Sequence, residues 1–392
     1  NEDTAKKISR YTLSQEDVFI SIAGTIGKTG IIPEILDGAF LTENAAKITN
    51  IKLTFNKFLH LYMKSTTIQE QIKRSIVSTS QPKLALFRIK DFFIVLPPFN
   101  EQKRIVEKVE RLFAKIDEAK RLIEEVKESF ELRRAVVLDK AIKGKLVSQS
   151  PLDEPADKLL QYIEEQKQHL VKQKKIKKEK PLPILEQNEL LYNIPENWRW
   201  VRLGEVIELI SGRDVSAKEC NNEGIGVPYI MGASNIADDR LIIERWIEKP
   251  SVVGKKGDVL LSVKGTVGKT IIQEVEEAHL SRQIMGLRPI HGVHNGYLKI
   301  FILTYVQVLK EKSKGVIPGI SREDVLLAPF PLPPYNEQKR IADKVDILLS
   351  KLETEKESVL EVEQKLDLLK QSILNKAFRG ELGTNDPNDE HA

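Results

Sequence analysis

The sequence predicts an α+β fold: two mixed α/β domains, separated by two long helices that form an antiparallel coiled coil, in a pseudo-two-fold tandem repeat. The repeat is explicit, because the segment at 97–113 (PPFNEQKRIVEKVERLF) returns at 333–349 as PPYNEQKRIADKVDILL, an offset of 236 residues (333 less 97). The segment DVFISIAGTIGKT at 17–29 likewise returns at 258–270 as DVLLSVKGTVGKT. A period this long indicates two whole modules, since the units of a solenoid are only about 20–50 residues long.

The helices are predicted from apolar residues that recur at alternating spacings of three and four after each NEQKRI segment, which is typical of a coiled coil. The seam positions are Ile105, Val109, Leu112 and Ile116 in the first helix, and Ile341, Val345, Leu348 and Leu352 in the second. Two matching seams in one chain favour an antiparallel pair that holds the two globular domains at opposite ends. Gly144 and Gly380 are expected to end the helices, and Asn100 and Asn336 to cap their starts.

The globular domains are predicted from DVFISIAG and DVLLSVKG, which alternate apolar and polar residues as strands do, and from helical spacing at 55–76 and 296–315. The resulting divisions are a first globular domain at 1–96, a helix at 97–147, a basic linker at 148–191, a second globular domain at 192–332, a helix at 333–384, and a tail at 385–392 that is expected to be disordered. The segment at 192–241 has no counterpart in the first module, because the equivalent positions would precede Asn1. Either the first domain is incomplete at its N-terminus or the two modules differ there.

The composition excludes some classes of protein but does not identify a single one. The 61 Lys and Arg nearly balance the 57 Asp and Glu, so a net charge of +4 does not by itself indicate nucleic-acid binding. Lysines crowd the linker at 167–180, which is either a solvated connector or an arm that contacts phosphates. A single cysteine, Cys220, excludes an internal disulfide, and no apolar run approaches the ~20 residues that span a bilayer. We expect a soluble, cytoplasmic protein.

The sequence contains segments that resemble catalytic motifs, but each lacks a residue that the motif requires. GTIGKTG at 24–30 suggests a phosphate-binding loop, but Ile22 and Val263 stand where that loop requires its first glycine. LPPF and LPPY approach the active-site tetrapeptide of DNA amino-methyltransferases, yet Leu96 and Leu332 cannot accept the hydrogen bond that this chemistry needs. His291 and His294 lack further metal ligands nearby in the sequence. We therefore expect no catalytic site, no metal site and no cofactor bound by this chain.

Four segments in order carry a resemblance: IPENWRW at 194–200, GDVLLSVKGTVGKT at 257–270, PLPPYNEQKRI at 331–341 and LNKAFRGEL at 374–382. Together they resemble the specificity subunit of type I restriction-modification enzymes, over nearly the whole chain. The resemblance implies two target-recognition domains that each read one half of a split double-stranded DNA sequence, with the helices as spacer. It also implies two docked methyltransferase (modification) subunits that bind S-adenosylmethionine, and separate motor-nuclease (restriction) subunits that use ATP and Mg.

Candidate DNA contacts follow from the repeated glycine turns and from the segments STSQPKLALFR and GVIPGISRED, which occupy the same place in each module. They are Thr25, Lys28, Ser80, Gln81, Lys83, Arg88, Thr266, Lys269, Ser321 and Arg322. Lysines at the turn tips suit phosphates, and Arg and Gln suit guanine and adenine edges. The alternative is that the glycines only permit a tight turn in the domain core.

Two other functions stay open. The chain could be the recognition half of a fused restriction-methylation enzyme, although the leucines before Pro-Pro argue against methylation within it. It could also be a coiled-coil interaction protein without DNA specificity, which would leave the repeated globular domains unexplained.

Overall fold

A computed structural model describes residues 11–76, 82–174, 181–237, 239–312 and 319–389. The chain divides into two compact units, which we call unit 1 (Asn1–Glu128 with Lys356–Ala392) and unit 2 (Ser129–Glu355). Both divisions fall inside a long helix. Each unit therefore combines the start of one long helix with the end of the other.

Unit 1 contains a three-stranded antiparallel sheet in the order β2-β1-β3, followed by short helices. Its elements are β1 (Val18–Ser21), β2 (Thr29–Ile31), β3 (Ala45–Ile48), α1 (Asn56–Met63), α2 (Thr66–Ser75) and α3 (Leu86–Lys90). Val18 and Ile20 of β1 are fully buried in one core cluster with residues of α1 and α2, as the alternating pattern predicts. The helical spacing at 55–76 corresponds to two helices, because the chain leaves the helix at Ser65, whose backbone is extended.

Unit 2 is larger, and its described residues form four sheets. Its strands are β4 (Arg199–Arg202), β5 (Ile207–Ser211), β6 (Cys220–Asn221), β7 (Val227–Ile230), β8 (Ile236–Ala237), β9 (Arg240–Leu241), β10 (Trp246–Ile247), β11 (Val253–Lys255), β12 (Val259–Ser262), β13 (Thr270–Ile272), β14 (Glu277–Leu280), β15 (Ile284–Pro289) and β16 (Pro329–Leu332). The sheet orders are β11-β14-β7-β10-β6, β13-β12-β15-β5, β16-β4 and β8-β9. Its shorter helices are α5 (Ala156–Lys172), α6 (Leu203–Val206), α7 (Asn295–Lys312) and α8 (Arg322–Leu326). The central strand β12 is buried along its whole length, because its two faces contribute to different core clusters.

The two long helices are α4 (Phe99–Ile142) and α9 (Tyr335–Phe378), of 44 residues each. They begin one residue before the expected caps. The first intrahelical bond of α4 runs from Gln102 N to Pro98 O (3.0 Å), which makes Pro98 the cap and places Asn100 inside the first turn. Asn336 lies equivalently within α9, so the prediction that the two asparagines are caps is wrong.

The ends of the long helices match the sequence prediction. Gly144 and Gly380 have φ angles of 67° and 73°, in the left-handed region that favours glycine. The residue after each glycine donates its backbone N–H to the carbonyl five residues earlier: Lys145 N to Lys140 O and Glu381 N to Lys376 O, both at 2.8 Å. This is the Schellman arrangement, and it confirms the two helix stops.

The long helices are antiparallel within each unit. In unit 1, Lys120 pairs with Asp367 (2.5 Å) and Lys127 with Glu363 (2.7 Å), and in unit 2 Arg133 pairs with Glu355 (2.8 Å). Residue numbers rise on α4 as they fall on α9. The seam residues Ile105, Val109, Ile116, Ile341 and Val345 are buried, whereas Leu112, Leu348 and Leu352 are half-buried.

Candidate nucleic-acid interface

The repeated GTVGK segment of unit 2 is the connection between antiparallel strands β12 and β13. Ser262, the last residue of β12, organises it: its Oγ donates to Thr266 O (2.7 Å) and accepts from Lys269 N (2.9 Å). Gly268 N donates to Ser262 O at 2.9 Å. The turn is therefore closed by its own hydrogen bonds, and Thr266 and Lys269 lie exposed on it.

Unit 1 repeats this turn between β1 and β2. Ser21 Oγ donates to Thr25 O and accepts from Lys28 N (3.0 Å), and Gly27 N donates to Ser21 O (2.9 Å). A phosphate-binding loop joins a strand to a helix and leaves its amides directed at the ligand. Here the turn joins two strands and its amides bond within it, so the geometry is not that of a nucleotide site.

The turn glycines are required by packing as well as by backbone angle. Gly268 has a φ of 97°, and a Cβ built on it would lie 2.4 Å from Val306 Cγ2 of α7. In unit 1 the side-chain amide of Gln69, on α2, donates to Gly27 O at 3.1 Å. The turns thus pack closely on a helix. This requirement holds alongside any role of the exposed Thr and Lys side chains in binding.

The two turn lysines differ in their surroundings. Lys269 Nζ donates to Ile236 O at 2.7 Å, which anchors it to the segment that forms β8. Lys28 is exposed, and its ammonium has no partner within the described ranges. Both groups lie at the protein surface, and Lys28 is the freer of the two to follow a phosphate.

Of the other unit 1 candidates, Lys83 and Arg88 are described and have different environments. Lys83 is exposed and pairs by a β-bridge with Ala23, directly beside the turn. Arg88 Nη1 donates to Ser75 O at 2.9 Å, which holds the end of α2. Ser80 and Gln81 lie outside the described residues. The structure therefore brings Thr25, Lys28 and Lys83 to one edge of unit 1, with Arg88 engaged in the fold.

Ser321 and Arg322 of unit 2 both make structural bonds. Ser321 caps α8: its Oγ accepts from Asp324 N (3.1 Å) and donates to Asp324 Oδ2 (2.6 Å). Arg322 Nη1 donates to Leu209 O (3.0 Å) and to Ser211 Oγ (2.6 Å) at the end of β5. Gly319 bridges to Lys264, so this segment approaches the turn as residues 82–84 do in unit 1.

Sequence reasoning missed Gln283, an exposed residue in the loop between β14 and β15. Its carbonyl accepts from Val263 N (2.8 Å), and its side-chain Oε1 lies 3.7 Å from where a Cβ of Gly265 would stand. Its amide side chain therefore lies against the GTVGK turn. No spacing or motif in the sequence places Gln283 beside this turn.

The described residues contain no group of three or more His, Cys, Asp and Glu side chains arranged to hold a metal ion. His291 instead makes an edge contact with the Tyr162 ring, 5.7 Å between centroids. In the basic linker, Lys167 Nζ donates to Gly204 O at 2.8 Å, while residues 175–180 lie outside the described part. Among described helices, none is long and apolar enough to cross a membrane.

Comparison with known proteins gives consistent matches. The family model described as "Type I restriction modification DNA specificity domain" matches residues 1–128 and 195–364. The type I restriction enzyme EcoAI specificity subunit of Escherichia coli is 29% identical over 259 residues, which is 62% of this chain and 44% of the relative. A putative type I specificity subunit of Methanocaldococcus jannaschii, MjaX, is 26% identical over 92% of this chain and 78% of the relative.

Two solved structures are also similar. A chain from a structure of the assembly and conformational transition of a type I R-M system has a TM-score of 0.73 and 27% identity, covering 95% of this chain and 83% of its own. The HsdS subunit of Thermoanaerobacter tengcongensis has a TM-score of 0.64 and 26% identity, with coverages of 95% and 82%. This chain spans 44% and 52% of the EcoAI and EcoEI subunits, or about half their length. The two segments that the family model matches fall on the two copies of the repeat. The chain therefore belongs to the family of type I restriction-modification DNA specificity domains.

Proposed function

We propose that this chain is a non-catalytic scaffold that binds DNA sequence-specifically within a type I restriction-modification complex. Unit 1 and unit 2 would each read one half of a bipartite double-stranded target. The observation that carries the proposal is the double match of the specificity-domain model, once on each copy of the repeat. A protein with two tethered readers fixes the spacing of its half-sites by geometry, as dimeric DNA-binding proteins do.

The chemistry within the complex would be divided among subunits. Methyltransferase subunits that bind S-adenosylmethionine would dock on this scaffold, and restriction subunits would use ATP and Mg. Such a complex would act on DNA in the cytoplasm. In support, the residues 96 and 332 before each Pro-Pro are leucines, which cannot hold the exocyclic amine of a base.

The exposed edge around each GTxGK turn is the surface that we assign to DNA. Lys28 and Lys269 would contact phosphates, because an exposed ammonium on a turn can reach a backbone charge. Gln283, which lies against the turn in unit 2, would read a base, since a glutamine amide matches the edge of adenine. Gln283→Ala is then expected to relax discrimination at one base pair, by about 1–3 kcal/mol.

The test is reconstitution with a methyltransferase subunit of the same family, followed by single-molecule sequencing for N6-methyladenine. Methylation of a split motif with a fixed gap, only when both proteins are present, is the expected result. Methylation by this chain alone would identify a fused enzyme instead. If the mixture methylates no specific sequence, the chain acts as an interaction protein and the proposal fails.

A double lysine variant and a control variant test the DNA contact. Lys28→Ala with Lys269→Ala removes two surface charges without changing the turn backbone, whereas Ala114→Ser changes an exposed helix position far in sequence from either turn. The lysine variant should methylate more slowly at elevated salt, and the helix variant should match the parent chain. An equal decrease of the methylation rate in both variants would show that the decrease does not come from a lost DNA contact.

A further inference from the structure

Arg282 lies on the edge of unit 2 that we assign to DNA. It directly precedes Gln283, and the two are the central residues of a turn that is closed by a hydrogen bond from Ile284 N to Ser281 O (3.0 Å). Both central residues are exposed. This turn lies beside the GTVGK turn, since Gln283 O accepts from Val263 N at 2.8 Å.

The backbone of the turn that carries Arg282 is held by its neighbours. Ser281 N donates to Ile230 O at 3.0 Å, and Gln283 N donates to Ser281 Oγ at 3.1 Å. A Cβ built on Gly232 would lie 2.6 Å from Gln283 Oε1, so the next loop packs closely against the turn. The backbone of Arg282 is therefore fixed, while its side chain is 69% exposed.

Asp214 holds the side chain of Arg282 as well. Arg282 Nε lies 2.6 Å from Asp214 Oδ2, and Arg282 N donates to Asp214 Oδ1 at 3.1 Å. One carboxylate thus contacts both the backbone amide and the guanidinium of the arginine. The terminal nitrogens Nη1 and Nη2 of Arg282 make no hydrogen bond within the described ranges.

The loop that carries Asp214 is anchored in turn. Arg213 N donates to Leu280 O at 2.8 Å. The imidazole of His279 is fully buried; its Nε2 donates to Arg213 O at 2.8 Å, and its Nδ1 accepts from Ser251 N at 3.2 Å. The carboxylate therefore approaches the arginine from a backbone that is fixed on the residue beside it.

This ion pair decides which group of DNA suits Arg282. A cation that contacts a phosphate contributes through its charge, but Asp214 offsets the charge of Arg282 and would itself repel a phosphate. A held guanidinium presents its two terminal nitrogens in a fixed plane, and their N–H groups match the O6 and N7 acceptors of guanine. Because the side chain is ordered beforehand, less rotamer entropy is lost on binding.

We propose that Arg282 reads a guanine in the half-site bound by unit 2, and that Asp214 is the residue that positions it. The inference rests on the proposed function, because it names a base contact on the surface assigned there to DNA. Nη1 and Nη2 of Arg282 donate to guanine O6 and N7. The half-site of unit 2 then contains a G·C pair in addition to the base pair that Gln283 reads.

The experiment uses the full chain with a methyltransferase subunit of the same family and single-molecule sequencing for N6-methyladenine. The split motif methylated with the parent chain is compared with the motif of each variant. Arg282→Ala should lower the preference for guanine at one position of one half-site by roughly 5- to 150-fold, the range of a bidentate base contact. The other half-site should stay unchanged, which controls for folding and for subunit docking.

Two conservative variants separate base reading from other roles. Arg282→Lys keeps the charge but loses the planar fork, so it should relax the same position as Arg282→Ala does. A guanine preference retained in Arg282→Lys would indicate a phosphate contact and overturn the proposal. Asp214→Asn should weaken the guanine preference at that position and raise the affinity for nonspecific DNA, because the surface loses a negative charge. An unchanged guanine preference in Asp214→Asn would refute the positioning role.

Lys256→Ala is the matched control for a lost surface charge. Lys256 forms an exposed pair with Glu276 (2.8 Å) and precedes β12, whereas the GTVGK turn follows that strand. This variant should leave every position of the motif unchanged. A split motif from the parent chain that Arg282→Ala does not alter would overturn this inference alone. No split motif from the parent chain would overturn the proposed function together with it.

Discussion

The starts of the two long helices carry the same ion pair but differ in what covers them. Arg104 pairs with Asp389 in unit 1, and Arg340 pairs with Asp153 (2.6 Å) in unit 2, at positions related by the 236-residue offset. Above this shared base, unit 2 has strand β4 paired with β16 and a buried tryptophan, and unit 1 has an exposed apolar segment at residues 93–95. The repeated motif therefore sets the local geometry of the helix start, whereas its burial depends on a partner segment distant in sequence.

The largest expected effect concerns the coiled-coil seam, which is present in both units. Val109→Asp should lower the free energy of unfolding of unit 1 by at least about 4 kcal/mol, because it buries an unpaired carboxylate in the seam. Hydrogen exchange should show lost protection in unit 1 alone, and Val345→Asp should do the same in unit 2. Ala114→Asp, on the exposed face, is the control. Equal loss of protection in both units from either variant would contradict the division into two compact units.

A smaller effect is expected where the units differ. Trp198→Ala should destabilise unit 2 by about 3–5 kcal/mol through the cavity it leaves, and Trp198→Phe by about 1–3 kcal/mol, because Glu337 Oε2 loses its indole donor. Hydrogen exchange at residues 329–332 should then approach that at residues 93–96. If exchange at 329–332 does not change, the strand pairing does not depend on the buried indole.

The pH dependence should separate the units further, with opposite signs. Burial, together with the nearby Lys64, lowers the pKa of His60 in unit 1 to about 4. The unfolded chain then binds the proton first, so His60 costs unit 1 stability as the pH falls from 6.5 towards 4. Burial raises the pKa of Glu337 in unit 2 above 4.5, so its contribution is full at low pH and is lost as the pH rises through the folded pKa.

Denaturation at several pH values checks both signs by comparison with neutral variants. His60→Gln should become more stable than the parent chain as the pH is lowered, and Glu337→Gln should become relatively more stable as the pH is raised. The same sign for the two variants would exclude this explanation.

The smallest expected effects concern the turn lysines. Lys28→Ala and Lys269→Ala should each reduce the slope of log affinity against log salt by about one for DNA. Lys269→Ala should also loosen the segment of Ile236, because it removes the 2.7 Å bond to that carbonyl. Salt titration of DNA binding measures both slopes. A changed preference among DNA sequences would mean that a lysine reads a base.

The sequence predicts the features that depend on short spacings. The seam at Ile105 and Val109, the glycine stops and the two equivalent turns all follow from periodicity or from a repeated motif. The predicted cap Asn100 lies two residues after the observed cap Pro98, whose carbonyl accepts the first helical bond from Gln102 N. The start of a helix depends on which of several neighbouring residues acts as the cap, and the sequence pattern does not decide between them.

The parts of the candidate site that could not be predicted depend on contacts between distant segments. Gln283 meets the turn because it directly precedes β15, which pairs with β12 so that Ile284 lies opposite Ser262. Ser321 and Arg322 look like surface readers in sequence, yet their polar atoms bond α8 and β5. Trp198 and Glu337 are 139 residues apart, and no periodicity links them.

The division of the chain into units has a consequence for cutting it. Unit 1 takes residues from both ends of the sequence, and unit 2 takes the middle. A backbone cleaved between Lys174 and Pro181 would yield two fragments, each of which holds part of both units. Neither fragment could diffuse away without dismantling both hydrophobic cores, so the nicked molecule should persist as a two-fragment complex in which each fragment acts as the folding partner of the other.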